Sequence, residues 1–322
     1  METKFPSRKE RGEFCGCCAS ASARGIQRNH VERGFVNIDY NFFENSRDGI
    51  RWHLSSRRSN IGFTLIEVLV VIAIIGILAS LLLPGLIRAK NHAWAVKCLC
   101  NMKQFSYAWV MYAGDNNDSV PPNEGSRGAG LLADNTWVRG WLQLGKADWA
   151  DNTNTLYLIN SHLGTYLCYS TGVWHCPADK SSTLHSGRPL LRVRSYSMNN
   201  YLNSPDRGAS DPWKIIRKVT DMTFPPPCST FVIIDEREDS IQDCYFVVDM
   251  ENAGAPIVTV PRSAHNGGGT LSFGDGHSEL KKWRDPRTCP ALNPTGFVEI
   301  LQSERPANMD GVWLRERTTG RK

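Results

Sequence analysis

Apolar residues crowd into one segment of this chain and then recur at regular intervals just beyond it. Residues 63–83 read FTLIEVLVVIAIIGILASLLL, with a single charge at Glu67. At about 1.5 Å of rise per residue such a helix reaches roughly 30 Å, the thickness of a bilayer's hydrocarbon core. A helix buried in a soluble domain is rarely apolar on every side for that length, so the segment reads as a membrane span. Beyond it, Ile87, Trp94, Cys98, Met102, Phe105, Trp109 and Tyr112 follow at steps of seven, four, four, three, four and three. Lys90, Asn91, Lys97, Asn101 and Lys103 fall mostly between them. That is the period of an amphipathic helix. Pro84 is expected to kink it, and Asp115-Asn116-Asn117-Asp118 with Pro121-Pro122 ends it near Gly114. The pattern predicts one long helix, its first half (63–83) in lipid and its second half (84–114) facing a soluble domain.

Residues 115–322 are rich in Gly, Pro, Asn and Asp, with apolar runs between them. Strands are predicted at 230–235, 244–249, 257–260, 270–274 and 277–283. Asp275-Gly276 between the last two is a two-residue hairpin signal, and that register sets Leu271 opposite Leu280. A short helix is predicted near 213–218. The fold class is therefore α+β: a long N-terminal helix packed on a C-terminal antiparallel sheet domain rich in loops.

Charge adds direction. The chain carries a net +5, and residues 1–62, with 11 Lys/Arg against 7 Asp/Glu, hold most of the excess. The remainder is close to neutral, which argues against a nucleic-acid partner. Arg51, Arg57 and Arg58 precede the apolar run, as on the cytoplasmic side of a span. Residues 1–62 are polar, Arg-rich and without periodicity, and read as a leader or a disordered cytoplasmic segment. Of the ten cysteines, Cys15, Cys17 and Cys18 lie in that segment. Seven follow the span, an odd number, so at least one thiol is unpaired within the monomer. An exported domain makes one to three disulfides plausible; buried free cysteines are the equal alternative.

Gly62-Phe63-Thr64-Leu65-Ile66-Glu67 followed by a spanning apolar run resembles the type IV prepilin cleavage and methylation motif. The resemblance implies a type IV pilin-like or type II secretion pseudopilin subunit. A prepilin peptidase would cut between Gly62 and Phe63, and the new N-terminal Phe63 would be N-methylated. Glu67 would pair with the α-amine of a neighbouring pilin-like subunit through the apolar helix. It also implies a single-pass protein of the inner membrane with an extracytoplasmic C-terminal domain. A leader of 62 residues is long for this class, and Arg57-Arg58-Ser59-Asn60 already makes a basic leader. A start near Leu54 is therefore an alternative. Downstream, His265, nine residues, then Asp275-Gly276 resembles the processing-associated H-X9-DG domain of prepilin-like proteins. The stretches 98–104, 112–122, 176–179, 194–199 and 234–239 resemble the same group.

No G-x-S-x-G, H-E-x-x-H or Walker A pattern is present, and no enzymatic activity is expected. His265, Asp275 and His277 are the candidate metal ligands, because two imidazoles and a carboxylate suit Zn²⁺, with Asp235 and Glu236 able to add oxygen. The bland alternative gives Asp275-Gly276 a turn and His265 a backbone contact. Calcium is a second option, from the carboxylates of 115–118 and 235–243. Trp137, Trp141, Trp149, Trp174 and Trp213 suit either a core or a polymer-binding face. The competing function is thus a membrane-tethered extracytoplasmic metal-binding or polymer-binding protein.

Overall fold

The computed structural model describes residues 64–125, 136–205, 208, 210–251, 257–294, 296, 298 and 306–322. The leader expected at 1–62, and Gly62 and Phe63 of the expected cleavage site, lie outside the described residues.

Helix α1 (Leu65–Asp115) is 51 residues long, about 77 Å at the usual rise. It continues through Pro84 without interruption. At its C-terminus the Asn116 N–H bonds to the Tyr112 and Ala113 carbonyls, at 3.0 and 3.2 Å. The Asn116 side chain donates to the same Tyr112 oxygen at 2.7 Å. Asn117 and Asp118 then take φ of 53° and 66°, a left-handed conformation that short polar side chains tolerate best. The stop falls one residue past the predicted one. Of the predicted stripe, Cys98, Met102, Phe105 and Trp109 are buried. Ile87 is exposed, because contact with the domain begins at Trp94, under the Lys180 ammonium, and full burial at Ala95.

The second half of α1 lies across a five-stranded sheet ordered β5-β3-β4-β6-β7. Its strands are β3 (Tyr196–Asn199), β4 (Phe231–Asp235), β5 (Tyr245–Phe246), β6 (Gly268–Phe273) and β7 (Ser278–Lys282). A separate hairpin joins β1 (Ser182–His185) to β2 (Arg188–Leu191). The pairings within the larger sheet are antiparallel except β3 with β5, which is parallel. A bulge between Phe231 and Ile233 sets two steps of β4 against one of β6, and Ser272 Oγ accepts the Ile233 N–H there at 3.1 Å. The bulge puts Val232 and Ile233 in one core while Phe231 and Ile234 face the other, an exception to strand alternation that a bulge produces.

Two cores result. Between α1 and the sheet, Phe105 meets Trp174 and Tyr196 edge-on at 4.9 and 5.3 Å, and Trp137 stacks on Trp174 at 5.4 Å. Burial of each ring contributes on the order of 2–3 kcal/mol. Trp137 Nε1 donates to the Cys244 carbonyl at 3.1 Å, so these two tryptophans are core material and offer no binding face. On the far side Tyr201, Trp213, Phe246, Leu271, Phe273, Trp283 and Leu314 form the second core. Helix α3 (Met309–Arg315) supplies Leu314; a further helix, α2 (Leu156–Ile159), is one turn long.

Three expectations need correction. The β6–β7 register pairs Leu271 with Glu279 and Thr270 with Leu280, one residue from the predicted Leu271–Leu280 pairing. The reason is the turn. Phe273 N–H bonds to the His277 carbonyl and Gly276 N–H to the Phe273 carbonyl, both at 3.0 Å. Three residues therefore span the loop, with Gly276 at φ +90°. Leu271 is buried and Leu280 is 44% exposed, as that register requires. Residues 213–218 form no helix: Trp213 bridges Arg321, Ile216 bridges Leu202 and Lys218 bridges Ser119. Residues 257–260 form only an isolated bridge, Val248 to Ile257. The five-strand sheet takes β3 in their place.

Candidate functional site

The N-terminal half of α1 stands clear of the domain. Every residue from 64 to 90 is exposed, Leu65 by 81% and Leu81 by 73%. By length and composition this helix can cross a membrane. A contiguous Leu, Ile and Val surface of this extent marks a lipid or protein contact. Gly76 has nothing within 4 Å of where a Cβ would sit; with Ala73, Ala79 and Ser80 it offers the small side chains that let helices approach closely in lipid.

The start of the helix is built by Thr64 and Glu67. Thr64 is the N-cap, and its Oγ1 accepts the Glu67 N–H at 3.4 Å. Glu67 Oε2 in turn accepts the Thr64 N–H at 2.8 Å and its hydroxyl at 2.7 Å. This reciprocal pair is a capping box, which satisfies donors that a helix start leaves open. Oε1 of Glu67 carries no bond among the described residues and remains for a second partner.

The predicted ligands His265, Asp275 and His277 do not converge. Asp275 and His277 stay together at the exposed hairpin turn. Asp275 Oδ1 accepts the His277 N–H at 3.1 Å and also meets its Nδ1, while the imidazole stacks on Phe273 at 4.3 Å. His265 is buried on the loop before β6 and faces other groups. The carboxylates considered for calcium are also engaged elsewhere. Asp118 accepts the Thr220 N–H at 3.0 Å and Asp115 the Tyr166 hydroxyl at 3.1 Å, and Asp239 pairs with Arg237.

His265 instead belongs to a buried polar group. Its Nε2 lies 3.3 Å from Cys176 Sγ and 3.3 Å from Asp235 Oδ2. Cys98 Sγ lies 3.2 Å from the same Asp235 oxygen, 3.2 Å from the Tyr196 hydroxyl and 3.1 Å from Thr270 Oγ1. Among the described residues, Cys98, Cys176, Asp235 and His265 are the group of three or more Cys, His, Asp or Glu whose donor atoms lie within 4.8 Å of one another. Helix α1, the loop after Trp174, the end of β4 and the loop before β6 each contribute one. The seven described cysteines are free.

Arg262 braces this group. Its Nε donates to Asp235 Oδ1, Nη2 meets Asp179 Oδ2 and Nη1 meets Glu238 Oε2, each at 2.9 Å. Burial would raise the Asp179 carboxyl, but the Arg262 charge outweighs it and holds the group down at about 2. Burial opposes a charge on His265 as well, yet its bonds to Asp235 and Cys176 carry it up to about 9. Burial pushes the Cys98 thiol well above the usual range. The ring's other nitrogen, Nδ1, has no hydrogen-bond partner, so a protonated His265 leaves a buried N–H unpaired, at a cost of about 1–3 kcal/mol.

Sequence reasoning reached His265 directly and Asp235 as an auxiliary oxygen, and it missed Cys98 and Cys176 as partners. Cys98 and Asp235 are 137 residues apart, and Cys176 and His265 are 89 apart. No short-range spacing signals such a set. The capping box, by contrast, was written in the S/T-x-x-E form of Thr64 to Glu67.

Residues 57–83 match the family described as "Prokaryotic N-terminal methylation motif". The chain is similar to type II secretion system core protein G of Aeromonas hydrophila, 46% identical over 61 residues, which is 19% of this chain and 43% of that protein. It is also similar to the protein of the same name from Escherichia coli strain K12, 42% identical over 64 residues, 20% of this chain and 44% of that one. For the Pseudomonas aeruginosa protein of that name the figures are 40% over 60 residues, 19% and 42%. The chain thus spans less than half the length of these curated relatives. No solved structure matches it.

Proposed function

We infer that the chain is a pilin-like (pseudopilin) structural subunit of a type II secretion or type IV pilus-like envelope assembly. The observation that carries this reading is the methylation motif at 57–83, continued by a helix whose apolar half is exposed throughout. On this reading a prepilin peptidase cuts after Gly62 and the new N-terminus, Phe63, is methylated. The helix anchors the chain in the inner membrane, with 115–322 outside the cytoplasm. Lipid gives apolar helices no net drive to associate, so packing at small residues and polar pairing supply it. A carboxylate in the bilayer costs a few kcal/mol without a partner. Glu67 meets half of that need within its own helix, through Thr64. Its second oxygen is the one left for the α-amine of a neighbouring subunit.

The test is cysteine cross-linking between apolar helices in membranes that contain the whole assembly system. The parent should cross-link to itself or to another pilin-like chain, and Glu67→Ala should insert normally but cross-link severalfold less. Glu67→Ala cross-linking as well as the parent would remove the pairing role. A parent that never cross-links would leave a tethered domain in place of an assembly subunit.

A further inference from the structure

We propose that Cys98, Cys176, Asp235 and His265 form a structural metal site for a thiophilic divalent cation of the zinc type, which fastens α1 to the sheet domain. A tetrahedral ion with bonds of about 2.0–2.3 Å has ligand-to-ligand edges of about 3.3–3.8 Å. Three of the six edges here are 3.2, 3.3 and 3.3 Å: Cys98 Sγ to Asp235 Oδ2, Cys176 Sγ to His265 Nε2, and His265 Nε2 to Asp235 Oδ2. All four donors fall within 4.8 Å of one another. To hold the ion the short sulfur edges lengthen by a few tenths of an ångström and any edge near the 4.8 Å limit closes.

The chemistry of the donors selects the ion. Two sulfurs and an imidazole suit zinc, cobalt(II) or iron(II), and exclude calcium and magnesium, which demand oxygen. Two thiolates and one carboxylate around a dication leave a single negative charge, and the buried Arg262 guanidinium, shared with Asp179 and Glu238, donates to Asp235 Oδ1 at 2.9 Å. The surrounding shell is in place: the Tyr196 and Thr270 hydroxyls lie 3.2 and 3.1 Å from Cys98 Sγ, where O–H donors steady a thiolate. With Nε2 as the ligand the His265 ring is neutral and its one proton sits on Nδ1, which has no partner among the described residues. No covalent step is involved; each thiol gives up its proton as the metal binds.

The experiment uses the full chain in detergent, purified without chelator under nitrogen, loaded with Zn²⁺ or Co²⁺ and desalted. About one zinc per chain should remain, and the cobalt form should show thiolate-to-metal charge transfer with the visible bands of a tetrahedral site. Cys98→Ser and Cys176→Ser should each remove about half of the charge-transfer intensity, and Asp235→Asn and His265→Gln should weaken zinc binding more than tenfold. Cys228→Ser, at an exposed position, should retain the metal. The proposal fails if the folded parent holds less than about a tenth of an equivalent of zinc and gives no cobalt band. It fails equally if the parent is lighter by two hydrogens and a peptide map joins Cys98 to Cys176, because a disulfide would then consume both ligands. The decision rests on the parent chain, so it stands whether or not every variant folds.

Discussion

Glu236 is fully buried beside the end of β4, with Oε1 accepting the Ser240 hydroxyl at 2.8 Å and Oε2 unpartnered. Burial pushes its carboxyl up to about 8, from an ordinary 4.5. The folded state therefore holds a proton that the unfolded chain gives up. Its stabilisation is complete below about pH 4.5 and is lost as the pH rises towards 8. Glu236→Gln keeps an acceptor for Ser240 and cannot ionise. The variant should gain on the parent as pH rises from 5 to 9, by an amount on the order of 3–5 kcal/mol, read from denaturant midpoints across that range. A pH-independent difference between the two would refute the assignment. Glu67 shows the other use of a carboxylate. In the sequence it reads as half of an intermolecular pair, whereas the structure adds an intramolecular duty, holding Thr64. Both roles need the same residue type, so composition alone does not separate them, but the spacing to Thr64 does.

At the scale of elements, local pattern succeeded where the pattern is local. Helix α1, β4, β6 and β7 were legible because periodicity, an apolar run and a Gly-containing turn lie within each segment. The hairpin register slipped by one because Gly276, not the Asp275-Gly276 pair, sets the turn, through its φ of +90°. Gly276→Ala should therefore cost about 1 kcal/mol, measurable as a lower unfolding midpoint with the sheet intact; an unchanged midpoint would show that the loop tolerates a Cβ at that φ. Residues 213–218 were misread as helical because their fate is decided by Leu202, Ser119 and Arg321, partners far away in sequence. The same holds for the Cys98, Cys176, Asp235 and His265 group. Its members were visible as residues and invisible as a set, since only the packing of α1 on the sheet brings them together.

For the whole molecule, the division of labour is plain in α1: residues 64–90 are all exposed, and nine residues from Ala95 to Ala113 are buried. The apolar half was legible from composition, and the fold of 115–322 only in part, because loops with long-range bridges carry much of its backbone pairing. The proposed function implies that 115–322 lies outside the inner membrane, with Arg57 and Arg58 on the cytoplasmic side. Protease added to spheroplasts should digest the domain and leave a membrane-protected N-terminal fragment. Full protection of the domain would reverse the orientation.

The unbroken passage of α1 from anchor to core also has a mechanical meaning. A load applied along the helix axis reaches the domain through Phe105, edge-on to Trp174, Tyr196 and Trp137, and through Trp109 in the same core. The nine buried residues are spread along the axis from Ala95 to Ala113, so such a load falls on them together in shear, where a flexible tether would let contacts peel apart one at a time. The helix is a drive shaft keyed into its domain. Traction on the membrane end is thereby carried into the domain through one continuous helix.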